Sequence, residues 1–375
     1  MKKIMLTIMA ILIISSFAGC IGDNTPVDDE ITTVNIVDTI GREVDVPKEV
    51  NSIVCVGSGS LRLLTYLDAV DMISGVENSE TKPTGRPYSL ANTKIYSSLP
   101  IIGQGGSDPK PNPEAIIAVN PDVLFITYVD KQTADELQLQ TGVPVVVLSY
   151  GGASRASFEI NSVYGSLTLA GDIIGKENRA DDVIEFMKQN FEDLNQKTKN
   201  ITENEKPTVY LGGIAKSGSQ GITSTQYKFL PFEALGAKNV VNELELGNDP
   251  QQTFVDKERL ISWNPDYIFI DEGSFNGIKE EYGKNPELFN SFTAFNGGNT
   301  HAVLPITSYT INIGTLLADS YYIGKTIYPD QFNDVNPEEN ADDIYSFLVG
   351  EGVYNQMKSD YGGFGKIDSN TFEIK

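Results

Sequence analysis

Residue types that commonly carry metal or acyl-transfer chemistry are scarce in this chain of 375 residues. It contains one histidine, His301, and two cysteines, Cys20 and Cys55. A cage of several nitrogen or sulfur ligands is therefore excluded, and we expect neither a metal site nor a cofactor. A serine hydrolase would have to use His301, yet no Gly-x-Ser-x-Gly turn is present. Acidic residues are plentiful, so an extracytoplasmic, carboxylate-dependent hydrolase stays open as an alternative.

Cys55 and His301 both lie in apolar, strand-like runs. Cys55 follows Ser52-Ile53-Val54, and His301 precedes Ala302-Val303-Leu304. A cysteine in such a run behaves as a small buried hydrophobe. We expect structural roles for both residues, with no catalytic residue among them.

Cys20 ends a segment that has the pattern of an export signal. The chain starts Met-Lys-Lys, continues with apolar residues from Ile4 to Ile14, and reaches Cys20 through Ala18 and Gly19. This apolar run is too short for a permanent membrane span. Small residues directly before a cysteine resemble the lipobox of prokaryotic lipoproteins, whose cysteine thiol carries a diacylglyceryl group. The alternative is an ordinary secretory signal with an incidental cysteine.

The resemblance to a lipobox predicts the cellular location of the mature protein. Residues 1–19 would be the removed signal peptide, Cys20 the lipid anchor and residues 20–33 a flexible tether. Two acyl chains give stable membrane anchoring. We therefore expect an exported protein, held at the outer face of the cytoplasmic membrane.

The composition indicates an ordered, acidic protein. With 40% hydrophobic and 9% aromatic residues, the chain can bury substantial cores, and its length suits two domains. The formal net charge is −23. Such a charge repels nucleic acid, so we expect no nucleic-acid partner.

Strands alternate with helices over two stretches, residues 34–152 and 206–330. This alternation predicts an α/β fold with two lobes, each built on a largely parallel sheet. Residues 153–205 hold no strand, and a helix from Asn178 to about Asn200 would reach roughly 33 Å. That helix is a plausible rigid connection between the lobes. Residues 331–375 are predicted to be an acidic tail with short helices.

A weak internal repeat supports the two-lobed organisation. A helix, the tripeptide Asn-Pro-Asp and an apolar strand occur at Asn120-Pro121-Asp122 and again at Asn264-Pro265-Asp266. Glu114 and Glu258 each precede the asparagine by six positions. We interpret the two copies as equivalent elements of two lobes.

Several segments, in this order, resemble the substrate-binding proteins of iron-chelate, haem and cobalamin ABC importers. The resemblance covers roughly residues 34–330. It rests on Asp38-Thr39-Ile40-Gly41-Arg42 through Pro47, Pro111-Asn112-Pro113-Glu114 through Val123, Thr141-Gly142-Val143-Pro144-Val145, Ala234-Leu235-Gly236-Ala237 and Asn264-Pro265-Asp266-Tyr267-Ile268. Arg86-Pro87-Tyr88-Ser89 and the acidic tail further resemble a subgroup of metal-chelate or haem receptors.

The resemblance implies a fold, a ligand class and partners. The fold has two α/β lobes joined by one long α-helix, with a ligand such as an iron chelate, haem or corrinoid in the cleft. The partner is a membrane permease with its ATPase, and the receptor is expected to be a monomer. Glu114 and Glu258 carry over as the carboxylates that dock onto the permease. The alternative is that both are solvated residues in the first turn of a helix.

Ligand contacts should come from the inward ends of the strands. Arginine pairs with carboxylates, and tyrosine offers a stacking face with a polar tip. Arg86 and Arg155 lie at the predicted cleft margin and Arg62 beside it; surface ion pairs are the alternative for these arginines. The tyrosines could also be half-buried loop anchors, and a ligand sensor on the same fold remains another function. The candidate ligand-binding residues are Ser58, Ser60, Arg86, Tyr88, Tyr128, Tyr150, Tyr227, Gln251 and Tyr309.

Overall fold

The computed structural model describes residues 32–82, 84–106, 110–152, 158–215, 218–247 and 251–375. Cys20, the predicted signal peptide, nearly all of the tether and Arg155 lie outside these residues. In the part of the chain that is described, no helix has both the length and the apolar character needed to cross a membrane.

The N-terminal lobe starts with an antiparallel hairpin and continues as a six-stranded sheet. The hairpin pairs β1 (Thr33–Val37) with β2 (Glu43–Pro47), as predicted. The sheet has the order β6-β5-β4-β3-β7-β8 and is parallel except at β6. Its strands are β3 (Ile53–Val56), β4 (Ile73–Glu77), β5 (Ile101–Gln104), β6 (Lys110–Pro111), β7 (Val123–Thr127) and β8 (Val145–Leu148).

Short helices cover both faces of this sheet, and two longer helices leave the lobe. The covering helices are α1 (Ser60–Tyr66), α2 (Pro87–Ala91), α3 (Thr93–Tyr96), α4 (Pro113–Val119) and α5 (Lys131–Thr141). Then follow α6 (Ile160–Ile174) and α7 (Glu177–Thr198). Helix α7 has 22 residues and confirms the long connecting helix predicted from Asn178.

The C-terminal lobe contains a five-stranded sheet in the order β11-β9-β13-β14-β15. It is parallel except at β15. Its strands are β9 (Thr208–Gly212), β11 (Lys238–Asn239), β13 (Tyr267–Asp271), β14 (Thr300–Val303) and β15 (Gly365–Lys366); β10 (Ser224–Tyr227) and β12 (Gln251–Phe254) form a separate antiparallel pair. Its helices are α8 (Leu230–Ala234), α9 (Lys257–Trp263), α10 (Phe275–Lys284), α11 (Pro286–Asn290), α12 (Thr293–Gly297), α13 (Ile313–Ile327), α14 (Pro337–Val349) and α15 (Tyr354–Tyr361).

One hydrophobic core extends through both lobes. It includes residues of β3, α1, α7, α13 and α14, and two smaller clusters lie on the other faces of the two sheets. Helix α14 packs on α13 and also contacts α1 and α2 of the N-terminal lobe. The lobes are therefore joined by shared packing as well as by α7.

Two sequence-based assignments differ from the structure. Tyr227 and Gln251 were predicted as ligand contacts in the cleft, but they lie opposite each other in the antiparallel pair of β10 and β12. This pairing satisfies the backbone groups of both strands, and the short polar sequence carries little sign of it. The segment after residue 330 holds helices, as expected, and it also returns to the sheet as β15.

Candidate functional site

The two lobes meet where the connection between β14 and α13 crosses to the N-terminal lobe. We call this region the interlobe seam. It comprises residues 304–312 of the C-terminal lobe and residues 57–62, 77–80, 84–88, Tyr128 and Tyr150 of the N-terminal lobe. Since the carboxyl ends of β3, β4, β7 and β14 lead into it, the seam lies where an open α/β sheet places its ligands.

Arg62 holds the C-terminal side of the seam in place. Its side chain is fully buried, and its guanidinium donates to the carbonyl oxygens of Ile311 at 2.8 Å, Ser308 at 2.9 Å and Tyr309 at 3.2 Å. The same group lies 4.9 Å from the centre of the Tyr88 ring. The alternative that Arg62 makes a surface ion pair is therefore wrong. Its donors instead fix the backbone of a loop from the other lobe.

Glu77 and Tyr309 form a second link across the seam. The Tyr309 hydroxyl donates a hydrogen bond to the Glu77 carboxylate, although Glu77 is only 1% exposed. Burial raises the pKa of Glu77 to about 7, in spite of the opposing effect of the Tyr309 hydroxyl. This carboxyl group therefore changes charge near neutral pH, at the boundary between the lobes.

Arg86 belongs to a buried ionic group with Glu80 and Tyr88. Its guanidinium lies 3.3 Å from Glu80, and the Tyr88 hydroxyl donates to both Glu80 oxygens at 2.8 and 2.9 Å. Arg86 also lies 5.6 Å from the centre of the Tyr309 ring. The alternative of a surface ion pair is therefore wrong for Arg86, which pairs with an acidic residue at a buried position of the seam. Tyr88 is buried and holds the Glu80 carboxylate in place, so it has little surface with which to contact a ligand.

Three aromatic and hydroxyl side chains complete the contact between the lobes. The hydroxyls of Tyr128 and Thr310 lie 2.7 Å apart across the seam. Tyr128 stacks on Tyr150, with ring centres 6.2 Å apart and planes at 13°. The Tyr150 hydroxyl donates to the Gly59 carbonyl at 3.1 Å. Tyr150 is buried, so it supports Tyr128 and does not face the cleft directly.

The two lobes approach each other closely at Gly59. It has φ of +84°, and a Cβ atom placed there would lie 2.5 Å from the Tyr150 hydroxyl and 2.6 Å from the Thr310 methyl. Only glycine meets both the conformation and the space. This close approach explains the glycine at position 59.

Several buried polar atoms at the seam have no protein partner. They are the Oγ atoms of Ser58 and Ser79, Arg62 Nε, Glu77 Oε1, Arg86 Nε, Thr307 Oγ1 and Asn312 Oδ1. Ser60 differs, because its Oγ donates to the Phe125 carbonyl at 3.1 Å. Buried polar atoms are normally paired, so such a concentration needs a cause. A polar ligand between the lobes would supply the missing partners.

The structure brings together seven of the nine predicted ligand-binding residues. Tyr227 and Gln251 are the exceptions. The Tyr227 hydroxyl donates to the Gly247 carbonyl at 2.9 Å, and Gln251 Nε2 donates to the Leu246 carbonyl at 3.0 Å. Their hydrogen bonds hold one surface segment of the C-terminal lobe. The seven that gather at the seam are Ser58, Ser60, Arg86, Tyr88, Tyr128, Tyr150 and Tyr309.

Sequence reasoning missed Glu77, Glu80 and Thr310. Glu77 had a usable signal, since it is an acidic residue at the end of the apolar strand Ile73–Glu77. Glu80 lies in the 3₁₀ turn that follows, and Thr310 lies in a loop. Neither residue was therefore marked by a pattern in the sequence.

Buried carboxyl groups fix the base of the seam loop. Asp271 accepts hydrogen bonds from the Gly273 and Ile306 amides at 2.8 and 3.1 Å, and Asp319 accepts from the Leu304 amide at 3.2 Å. Burial raises the pKa of Asp271 to about 7 and that of Glu272 to about 9, and it also raises the pKa of Asp319. At pH 7, Glu272 is therefore largely protonated and Asp271 is about half protonated.

The two residues assigned structural roles are placed accordingly. Cys55 is buried in β3, and burial raises the pKa of its thiol. His301 Nδ1 lies 3.0 Å from the Tyr322 hydroxyl, and burial lowers the pKa of His301 to about 4.

Glu114 and Glu258 are both exposed, in the first turns of α4 and α9. Each helix has seven residues and starts after a capping side chain, Asn112 or Asp256, which accepts from the amide three residues later. Each ends at an asparagine in the left-handed conformation, Asn120 or Asn264. The internal repeat seen in the sequence is thus a structural one.

Comparison with known proteins agrees with this architecture. A family model described as periplasmic binding protein matches residues 53–298. The chain is 22% identical to the molybdate-binding protein MolA of Haemophilus influenzae, over 83% of this chain and 89% of that protein. It is 24% identical to YvrC of Bacillus subtilis, an uncharacterized ABC transporter substrate-binding lipoprotein, over 81% and 88%. A periplasmic solute binding protein from Veillonella parvula superposes with a TM-score of 0.67 at 19% identity, covering 88% of this chain and 97% of that one.

Proposed function

Because the chain belongs to the periplasmic binding protein family, we propose that it is a lipid-anchored receptor for an iron chelate, haem or corrinoid. The receptor would bind this ligand between its lobes and deliver it to an ABC-importer permease. Membership of a binding-protein family also agrees with the expectation that the chain is not an enzyme.

The unpaired buried atoms of the seam are the observation that carries the proposal. Ser58 Oγ, Glu77 Oε1 and Arg86 Nε are buried without partners, and the guanidinium of Arg86 lies over the ring of Tyr309. Arginine, tyrosine and hydroxyl groups suit the carboxylate and aromatic parts of a chelate. A few convergent polar groups are typical of a small-molecule site.

A small oxyanion is the second candidate ligand. The relative MolA is named as a molybdate-binding protein. Ser58 supplies a hydroxyl donor, and the buried arginines supply positive charge. We therefore include molybdate beside the chelates in the binding test.

Calorimetric titration of the detergent-solubilised full-length protein tests the receptor function. The panel contains a ferric catecholate, a ferric hydroxamate, haemin, cyanocobalamin and molybdate. We expect one of them to bind with a Kd of about 1 μM or below, as is usual for a specific small-molecule site. Binding of none of the five would overturn the proposed ligand classes.

Replacement of Ser58 by alanine tests whether the seam is the site. The Ser58 hydroxyl has no partner in the protein, so Ser58→Ala should leave thermal stability unchanged and weaken the bound panel ligand up to tenfold, about the value of one hydrogen bond. Ser60→Ala is the matched control. It loses a buried bond to Phe125, so it should lose stability and keep its affinity once folded. The reverse pattern would place the ligand elsewhere.

We further propose that Glu114 and Glu258 dock onto basic residues of the permease, one from each lobe. Paired contacts of opposite charge set the register of an encounter and speed association. The exposure of both carboxylates, at equivalent places of the two lobes, supports this role.

A further inference from the structure

An exposed isoleucine follows each of the two docking glutamates by three residues. Ile117 on α4 is 49% exposed and Ile261 on α9 is 41% exposed. The residues just before them, Ile116 and Leu260, are fully buried and attach the helices to their lobes. The core contact of each helix is therefore already made. The exposed isoleucine at the next position is not needed for that contact.

The two isoleucines are held in matching positions by matching contacts. Asp122, after α4, accepts from the Asn51 and Ser52 amides at 2.8 and 2.9 Å. Asp266, after α9, accepts from the Thr208 amide at 2.8 Å. Each aspartate thus ties the helix to the first strand of its own sheet. Together with the caps at both helix ends, these bonds fix the position of each helix on its lobe.

The neighbouring side chains leave room for close approach. Side chains three positions apart on a helix are adjacent, so each isoleucine lies next to its glutamate. The following residues, Ala118 and Ser262, are both small and exposed. Each lobe therefore presents an acidic group and an apolar group side by side, and a small residue follows the isoleucine. Such a combination fits an apolar recess flanked by a basic side chain.

We propose that Ile117 and Ile261 are permease-contact residues, each docking with its glutamate into one of two equivalent recesses. The proposal rests on the proposed transport function and adds the apolar part of the interface. Repetition of one pair of side chains in two lobes fits a partner that presents the same surface twice, as a two-fold symmetric membrane protein does. A second copy of this chain is disfavoured, because its net charge is also −23.

Site-specific photo-crosslinking in membranes of the source cell tests the proposal. A benzophenone amino acid replaces Ile117, Ile261 or Ile95 of the full-length lipoprotein. Ile95 is the matched control, since it is 41% exposed on the separate helix α3. We expect positions 117 and 261, but not 95, to give adducts with the same multispanning permease subunit. Different proteins at the two positions, a second copy of this chain, or no adduct would each overturn the proposal.

A quantitative arm uses the crosslinked permease, purified with its ATPase. Ile117→Ser and Ile261→Ser should each weaken docking about fivefold, because burial of half an isoleucine is lost, while Ile95→Ser leaves docking unchanged. Ligand binding by the calorimetric panel should be unaffected in all three variants. If the wild-type protein binds none of the panel ligands, the result counts against the receptor function alone. If the wild-type protein binds a panel ligand but Ile117→Ser and Ile261→Ser dock as well as the wild type, the result counts only against the proposed role of the two isoleucines.

Discussion

At the scale of single residues, the seam is a place of backbone strain. Tyr128, Tyr309 and Thr310 have φ values of 59°, 56° and 69°, in the left-handed region that residues other than glycine rarely adopt. Each costs on the order of 1 kcal/mol and persists only where its surroundings hold it. Here the Arg62 bonds and the contact between Tyr128 and Thr310 supply that hold. The strain therefore lies where the two lobes must fit together.

The close approach at Gly59 gives the first prediction at this scale. Gly59→Ala places a methyl group within 2.6 Å of Tyr150 and Thr310, in addition to its strained φ. We expect a loss of about 2 to 4 kcal/mol in the free energy of unfolding, because overpacking and strain add. Urea denaturation measures it.

Gly142→Ala is the control for this prediction. Gly142 has φ of +69° but nothing within 4 Å of a Cβ atom, so only the conformational cost of about 1 kcal/mol remains. Equal losses in the two variants would mean that the seam yields to the added methyl group.

The sequence predicted seam residues where strand ends could be recognised. Ser58 and Tyr128 follow apolar strands, and parallel strands bring such ends together. The partners of Arg62 could not be predicted in this way. They are backbone carbonyls nearly 250 positions further along the chain, and no side-chain pattern indicates them. A charged residue can therefore be buried without an acidic partner in the sequence.

At the scale of elements, the hairpin of β1 and β2 is fixed by its turn. Asp38 accepts from the Arg42 amide at 2.9 Å and from the Val147 amide at 3.3 Å, which joins the turn to β8. The Arg42 guanidinium reaches Asp38 at 2.9 Å, Asp135 at 2.7 Å and the Val145 carbonyl at 2.8 Å. The motif that supported the family resemblance thus attaches the hairpin to the sheet.

The prediction at this scale concerns Arg42. Arg42→Met leaves Asp38 buried without its cation, and we expect a loss of about 3 to 5 kcal/mol in the free energy of unfolding. Lys131→Met removes the other cation of Asp135. Since Lys131 is 71% exposed, its loss should stay within about 1 kcal/mol. Chemical denaturation of both variants measures the difference, and similar values would show that the hairpin is held by other contacts.

Elements with clear hydrophobic periodicity were predictable, and those held by long-range pairing were not. Helix α7 and the repeated α4 and α9 followed from apolar spacing and from Asn-Pro-Asp. Strands β12 and β15 did not, because they are short and become strands only through partners far along the chain. The position of α14 against both lobes could not be predicted either, because its packing partners also lie far along the chain.

At the scale of the whole molecule, the lobes are joined firmly on the side of α7 and α14. Arg179 on α7 donates to the Tyr66 carbonyl of the N-terminal lobe at 2.9 Å and to the Phe347 carbonyl of α14. Phe186 and Phe347 stack with centres 3.9 Å apart. Together with the continuous core, these contacts restrict hinge bending. Opening should therefore occur mainly at the seam, by small movements of residues 304–312.

Protonation of buried acids links the stability of the whole molecule to pH. The pKa of Asp271 is raised to about 7 and that of Glu272 to about 9, whereas both are near 4 in an unfolded chain. At pH values between the unfolded-state pKa and the native-state pKa, the native state binds more protons than the unfolded state. The free energy of unfolding must then fall as the pH rises. We expect a lower Tm at pH 9 than at pH 5, by scanning calorimetry, with a loss on the order of a few kcal/mol.

Asp319→Asn tests the source of this pH dependence. Asp319 is fully buried beside Asp271 and Glu272, its Oδ2 has no partner, and its Oδ1 bond to Leu304 survives in asparagine. Removing one titrating group should flatten the fall in Tm from pH 5 to pH 9. Asp334→Asn is the control, because Lys197 lowers the pKa of exposed Asp334 and its titration lies below this window. An unchanged slope in Asp319→Asn would leave Asp271, Glu272 and Glu77 as the sources of the pH dependence.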